Sequence, residues 1–219
     1  MEIAARINGA KYDVFRWRYE LSIPKKLALA LGMAALTGLV AQVNFLLPWT
    51  PVPITGQTFA VLLAGVLLGR WWGGISQAMY AGFGFIGIPW FAGWSGGFHV
   101  LTGATSGYII GFILAALFLG HFTDKYIRSR SFVSMLVLML FANFILIYVP
   151  GLLQLWSWLR VVGKPVSSFT VLLGMGLTPF IVGDITKAVL AALIARGATP
   201  KQAYNGEVDK DKWTSWRLP

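Results

Sequence analysis

Asp184 and Lys187 offer the clearest chemistry in this sequence, because both lie inside a hydrophobic run from Ser168 to Ala195. Their i, i+3 spacing puts them on one face of a helix. From Asp184 to the end of the run is about 17 Å of helix, so the pair is expected to lie deep. Two charges at membrane depth cost about 5–7 kcal/mol on insertion scales. An exposed helical ion pair returns only about 0.2–0.5 kcal/mol. Two readings follow: a self-neutralised pair that fastens this helix to its neighbours, or a ligand site, the default for intramembrane ionisable residues. The preceding stretch, Thr178-Pro-Phe-Ile-Val-Gly183, holds a proline and a glycine. A break there would free backbone amides at the start of a final half-helix, as in the discontinuous helices of transport proteins; a kink that serves only packing is the alternative.

A second cluster is Gly87-Ile-Pro-Trp-Phe-Ala-Gly-Trp-Ser-Gly-Gly97. Its glycines let backbone approach a ligand closely, and its aromatic rings could cover a flat apolar one. The plainer reading is an interfacial aromatic belt with turns. Candidate site residues here are Trp90, Phe91, Trp94, Ser95, Gly96 and Gly97, with Tyr80 as a further aromatic wall. Gln57, Gln77 and Asn143 are weaker polar candidates, since buried amides often only join helices. Gly93-Trp-Ser-Gly96 also matches a short G-x-S-G pattern, and a serine nucleophile needs a base. The two histidines are badly placed for that: His99 follows Ser95 by four residues, and His121 lies near the other end of its hydrophobic run. An intramembrane serine hydrolase is therefore disfavoured, and no enzymatic role is expected. With no cysteine, thiolate metal sites and disulfides are excluded, and neither a metal nor a cofactor is expected. Ala30, Ala34 and Gly38 recur at every fourth position, a small-residue stripe for close helix packing, within the protein or against a partner subunit.

These residues must be positioned by elements that the composition already constrains. The 219 residues are 57% hydrophobic and only 12% charged, about half the charge of an average soluble domain. Disorder is excluded by the same numbers. The expected fold class is an all-α membrane protein. Six spans can be drawn: 27–47, 57–69, 72–89, 99–122, 132–158 and 168–195. The second falls short of the roughly 20 residues a crossing needs. A loop with three prolines, Pro48 to Thr55, separates it from the first. With six crossings, Arg6, Lys11, Arg16, Arg18, Lys25, Lys26, Arg70, Lys125, Arg128, Arg130, Arg196, Lys201, Lys210, Lys212 and Arg217 share one side. Only Arg160 and Lys164 fall on the other. That asymmetry places both termini in the cytoplasm of a plasma-membrane protein, and it explains the net charge of +10 without nucleic acid. The expected organisation is an interfacial segment at 1–26, a transmembrane domain at 27–196 and a solvated polar tail at 197–219. No G-x-x-x-x-G-K-[ST] loop occurs, so any ATP must act through partners.

Three stretches, Val52-Pro-Ile-Thr-Gly-Gln-Thr-Phe-Ala-Val-Leu-Leu-Ala-Gly65, Gly87-Ile-Pro-Trp-Phe-Ala-Gly93 and Pro179-Phe-Ile-Val-Gly-Asp-Ile-Thr-Lys187, resemble the BioY family of biotin transporters. These are substrate-binding S components of energy-coupling-factor transporters. The resemblance runs over about residues 25 to 196. It implies a six-helix S-component-like bundle, biotin as ligand, and coupling to a transmembrane subunit and a pair of ATPases. It puts Asp184 and Lys187 on the ligand, the glycine-rich loop at Gly93 to Gly97, and the coupling contact at Ala30 and Ala34. Ser95 stands where some relatives carry a basic residue, and Val182 and Ala104 stand where proline is common. An S component for another vitamin would share the fold and differ only in the pocket.

Overall fold

The computed structural model describes residues 2–204 and 206–210, and nearly all of its regular structure is helical. α1 (Glu2–Glu20) is followed by α2 (Ile23–Ala41), which Pro24 opens in its first turn. There the missing N–H costs nothing. α3 (Gln57–Leu68) and α4 (Arg70–Phe85) are separated at Gly69, whose φ of 81° closes one helix and starts the next. A single turn, α5 (Phe98–Leu101), precedes α6 (Ser106–Lys125). α7 (Phe132–Phe141) runs through a wide π-turn at Ala142–Ile147 into α8 (Tyr148–Val161). The widening lies directly before Pro150, which has no N–H for the Leu146 carbonyl. α9 (Phe169–Gly176) ends at a 3-10 turn, Thr178–Phe180, and α10 (Ile181–Ala198) completes the bundle.

Among the described residues, four helical stretches are long and apolar enough to cross a membrane: 23–41, 106–125, 132–161 and 169–198. The helix Gln57–Leu68 is apolar but shorter. The expected fourth span begins late, because Thr102 to Thr105 interrupt the helix between α5 and α6.

α6 lies at the centre, packed on α3, α4, the π-turn and α8. Glycines set these distances. A Cβ on Gly111 would stand 2.6 Å from Ile147 Cα, and one on Gly107 would meet the Pro150 carbonyl oxygen. One on Gly65 would strike the backbone of Ala116. Ala30, Ala34 and Gly38 are all buried, and a Cβ on Gly38 would lie 2.9 Å from Trp90 Cβ. The small-residue stripe is closed inside the protein's own packing, where α2 meets α3, α4 and the loop after α4. Of the two readings of the stripe, this is the packing one: Ala30 and Ala34 have no exposed surface in the bundle itself.

At one end of the bundle the basic segments meet. Arg18 pairs with Asp124 at 2.5 Å and donates to the Val66 and Leu67 carbonyls, while Asp124 accepts from the Arg70 backbone N–H. Arg130 is fully buried and pairs with Glu207 at 2.7 Å. It also donates to the carbonyls of Thr123, Pro200 and Gln202, and Asp209 caps the turn at Ile127 and Arg128. The tail was expected to be solvated, and 201–203 are exposed; Glu207 is buried, because a buried guanidinium needs acceptors that the helices alone cannot supply. Burial by itself would push the Glu207 carboxyl up, but Arg130 and backbone N–H groups outweigh it and hold the group below the usual carboxylate range. Lys212 and Arg217 lie outside the described residues. Arg160 sits at the far end of α8, some 45 Å of helix away from this cluster.

Candidate ligand-binding site

The chain break expected before Asp184 is present. Leu177 leaves helical geometry at φ −135°, ψ −58°, and Phe180 leads into α10. Asp184 therefore stands in the first turn of an 18-residue helix, where unsatisfied N–H groups and the helix dipole favour a negative charge.

Its carboxylate is 2% exposed and holds four donors. Lys187 Nζ, 2.5 Å away, and Thr58 Oγ1, at 3.2 Å, reach Oδ1. Asn143 Nδ2 donates to Oδ2 at 2.9 Å, and the Tyr148 hydroxyl donates to the same oxygen. Two carboxylate oxygens offer about four acceptor directions, so this group is saturated. Lys187 also donates to the Thr55 carbonyl at 2.8 Å. The carboxylate thus joins α3, the π-turn, α8 and α10. Asn143 is buried with its Oδ1 unpartnered.

In front of this network is a cavity of about 430 Å³, within the 300–1,000 Å³ range of small-molecule sites. Asp184, Lys187, Thr58, Tyr148 and Gln57 form its polar end. Val52, Phe91, Val100, Tyr108, Ile109, Phe112 and Phe180 form apolar walls. Its outer side is the segment between α2 and α3. There β1 (Asn44–Phe45) pairs antiparallel with β2 (Ile54–Thr55), Asn44 opposite Thr55. This hairpin and its proline-rich tip are anchored by the Thr50 hydroxyl, which donates to the Met175 carbonyl at 2.6 Å. The glycine-rich segment supplies Gly93 and Ser95, and His99 follows.

Of the candidates read from the sequence, Asp184, Lys187, Gln57, Phe91 and Ser95 line the cavity. Asn143 lies behind Asp184 as a donor to it. Tyr80 is wholly buried behind the wall and accepts from Gln57 Nε2 at 2.5 Å. Trp90 does not line the cavity: its indole N–H donates to the Tyr80 carbonyl at 2.9 Å, and its ring packs on Tyr80 and Phe83. Trp94 points away from it, 63% exposed, with φ +56° after Gly93 at +69°. Both tryptophans were expected to face a ligand, and the left-handed turn that exposes one seats the loop carrying the other against α4. Gly96 and Gly97 shape the loop without lining the space; a Cβ on Gly96 would stand 2.5 Å from the Ile88 carbonyl oxygen. Gln77 is buried elsewhere, donating to Thr37 and Ser76. The Ser95 hydroxyl donates to the Ala92 carbonyl at 2.9 Å, so no nucleophile–base pair with His99 is formed.

Sequence reasoning missed Tyr148 and Thr58. Thr58 directly follows Gln57 in the stretch Val52–Gly65, and a lone threonine in an apolar run carries little signal. Tyr148 carried no signal, because the π-turn that aims it at Asp184 breaks the helical period.

The sequence profile of the BioY family matches residues 13–203. A protein from Methanothermobacter thermautotrophicus described as a probable biotin transporter BioY is 53% identical over 157 residues, covering 72% of this chain and 100% of its own. A second, from Pyrococcus horikoshii and described in the same words, is 39% identical over 172 residues, 78% of this chain and 94% of its own. Among solved structures, the S-component for biotin from an ECF-type ABC transporter superposes with a TM-score of 0.69 at 27% identity, over 80% of this chain and 93% of that one. The chain belongs to the BioY family.

Proposed function

We propose that this chain is the biotin-binding S component of an energy-coupling-factor transporter, and that the cavity before Asp184 is the biotin site. The observation that carries this reading is a saturated, buried carboxylate with a lysine beside it, at one polar end of a largely apolar cavity. Biotin has two ureido N–H donors, a ureido carbonyl, an apolar thiophane ring and a carboxylated tail, and each meets a counterpart. Asp184 accepts from the ureido N–H groups, which take the places now held by Thr58 or Lys187. The displaced Lys187 then serves the ureido carbonyl or the carboxylate. Phe91, Tyr108, Phe112 and Phe180 cover the ring system. The hairpin between α2 and α3 acts as a lid, since it lies across the outer side of the cavity and is joined to the site at Thr55 and Thr50.

In this reading residues 27–196 are the membrane domain and cross six times, α3 and α4 being the two short crossings. The basic segments gather at one end of the bundle, as both termini in the cytoplasm require. Uptake is driven by a transmembrane coupling subunit and ATPases, as the likeness to an S-component of an ECF-type transporter suggests, and the ATP is bound by those partners, since the chain holds no nucleotide loop. Labelled-biotin uptake in a transport-deficient host tests the assignment. Uptake that needs the chain, is competed by unlabelled biotin but not by thiamine or riboflavin, and is lost with a defective ATPase supports it. Uptake that collapses with the proton gradient and ignores the ATPase overturns the coupling.

A further inference from the structure

The cavity before Asp184 is polar at both of its ends. Asp184 and Lys187 make the inner one; Asn44, Ser95, His99 and Thr105 lie on the outer rim. Tyr148, which donates to Asp184, directly follows Ile147, whose Cα faces Gly111 of α6. His99 and Thr105 instead precede Ser106, the first residue of α6. From Ser106 to Gly111 is about 8 Å of helix, so the two polar ends stand about that far apart along the bundle, with apolar walls between them.

The inner end has no net charge to offer an anion. Lys187 Nζ lies 2.5 Å from Asp184 Oδ1 and donates to the Thr55 carbonyl. An anionic group drawn into the cavity therefore needs a further cation, because burying a charge without a partner is costly. Among the described residues that line the cavity, His99 is the only other side chain that can carry a positive charge. Its neighbours on the rim have spent their donors. The Asn44 amide donates to the Ala41 and Gln42 carbonyls, and the Ser95 hydroxyl to the Ala92 carbonyl. The His99 ring is exposed and makes no hydrogen bond or ion pair among the described residues. Its backbone is held at both sides: the Gly97 N–H donates to the Gly84 carbonyl at 2.7 Å, and Gln154 Nε2 donates to the Gly103 carbonyl at 3.0 Å. Gly97 has φ +106°, and a Cβ there would stand 3.3 Å from His99 Nδ1, so the glycine also leaves the ring its room.

We propose that His99 is the anion subsite of this cavity: its imidazolium pairs with the carboxylate of the ligand's tail, and Lys187 is left to the ureido carbonyl. The inference rests on the biotin reading and sets the ligand's direction, ureido group inward and tail at the rim. The full chain is purified in detergent and titrated with biotin and with biotin methyl ester at about pH 6, inside the range where histidines gain their proton. Wild type is expected to bind the acid at least tenfold more tightly than the ester. His99→Ala is expected to bind the two alike, near the ester's wild-type affinity, at an unchanged melting temperature because the ring is exposed. His99→Arg is expected to keep the preference, since a guanidinium stays charged. Lys187→Met is expected to weaken acid and ester by the same factor. Equal binding of acid and ester by wild type overturns the proposal and leaves the tail in solvent. A His99→Ala protein that keeps the tenfold preference overturns it too, as does a Lys187→Met protein that loses it. A folded wild type that binds neither compound overturns the biotin reading itself, and this proposal with it.

Discussion

Replacing Asp184 by Asn keeps the size of the side chain and removes its charge. The carboxylate accepts from Lys187, Thr58, Asn143 and Tyr148. An amide has one accepting oxygen and an NH2 group, so whichever way it turns, two of those donors lose a charged acceptor; the hydroxyls or a flipped Asn143 can accept from the NH2 instead, but Lys187 cannot. Hydrogen bonds to a charged group are worth about 1.5–3 kcal/mol each. If biotin relies on one such contact, the loss corresponds to roughly ten- to a hundredfold in Kd. Lys187, with a side chain only 19% exposed, would also be left without its counter-charge. Breaking one partner of a buried pair costs more than removing both, so Asp184→Asn should melt lower than the Asp184→Asn, Lys187→Met double variant. Titration of each purified variant with biotin, alongside its melting curve, separates the two effects. A folded Asp184→Asn protein with wild-type affinity would refute the placement of Asp184 in the site.

Tyr148→Phe deletes the hydroxyl that donates to Asp184 and keeps the ring; about 1.5–3 kcal/mol is at stake, of which part reaches the ligand, so biotin titration should show affinity falling severalfold in a folded protein. Ala34→Leu places a larger side chain at a site with no exposure and should cost about 1–3 kcal/mol, read as a lower melting temperature of the isolated chain; a loss confined to complex formation would restore the stripe as a partner surface. Glu207→Gln should remove a pH dependence. The folded-state carboxyl lies below its ordinary 4.5, so the Arg130 pair contributes stability above about that pH and loses it as the pH falls through the lower, folded value; melting curves from pH 6 to pH 3 should separate wild type from variant only at the upper end.

Asp184 and Lys187 were legible because a charge inside an apolar run has few structural excuses, and Pro179 marked the break that puts Asp184 at a helix start. The three-proline loop announced the non-helical segment that lines the outer side of the cavity. The partners of Asp184 were not legible. Tyr148 reaches it only because the π-turn at Ala142–Ile147 shifts the helical register, and no period in 132–158 predicts that. Trp90 and Trp94 do not line the cavity, and composition does not say which side of a loop a ring takes. The tail was hard to read for a related reason: Glu207 looks solvated until Arg130, some 80 residues earlier, is seen to need it, and Asp209 until the backbone N–H groups of Ile127 and Arg128 are.

The central claim is tested most directly by isothermal titration of the purified chain with biotin, with thiamine and riboflavin as controls. Saturable binding of biotin alone, at one per chain and abolished or weakened at least tenfold by Asp184→Asn, is the predicted result. A folded protein that ignores biotin, or binds another vitamin in its place, would contradict the account.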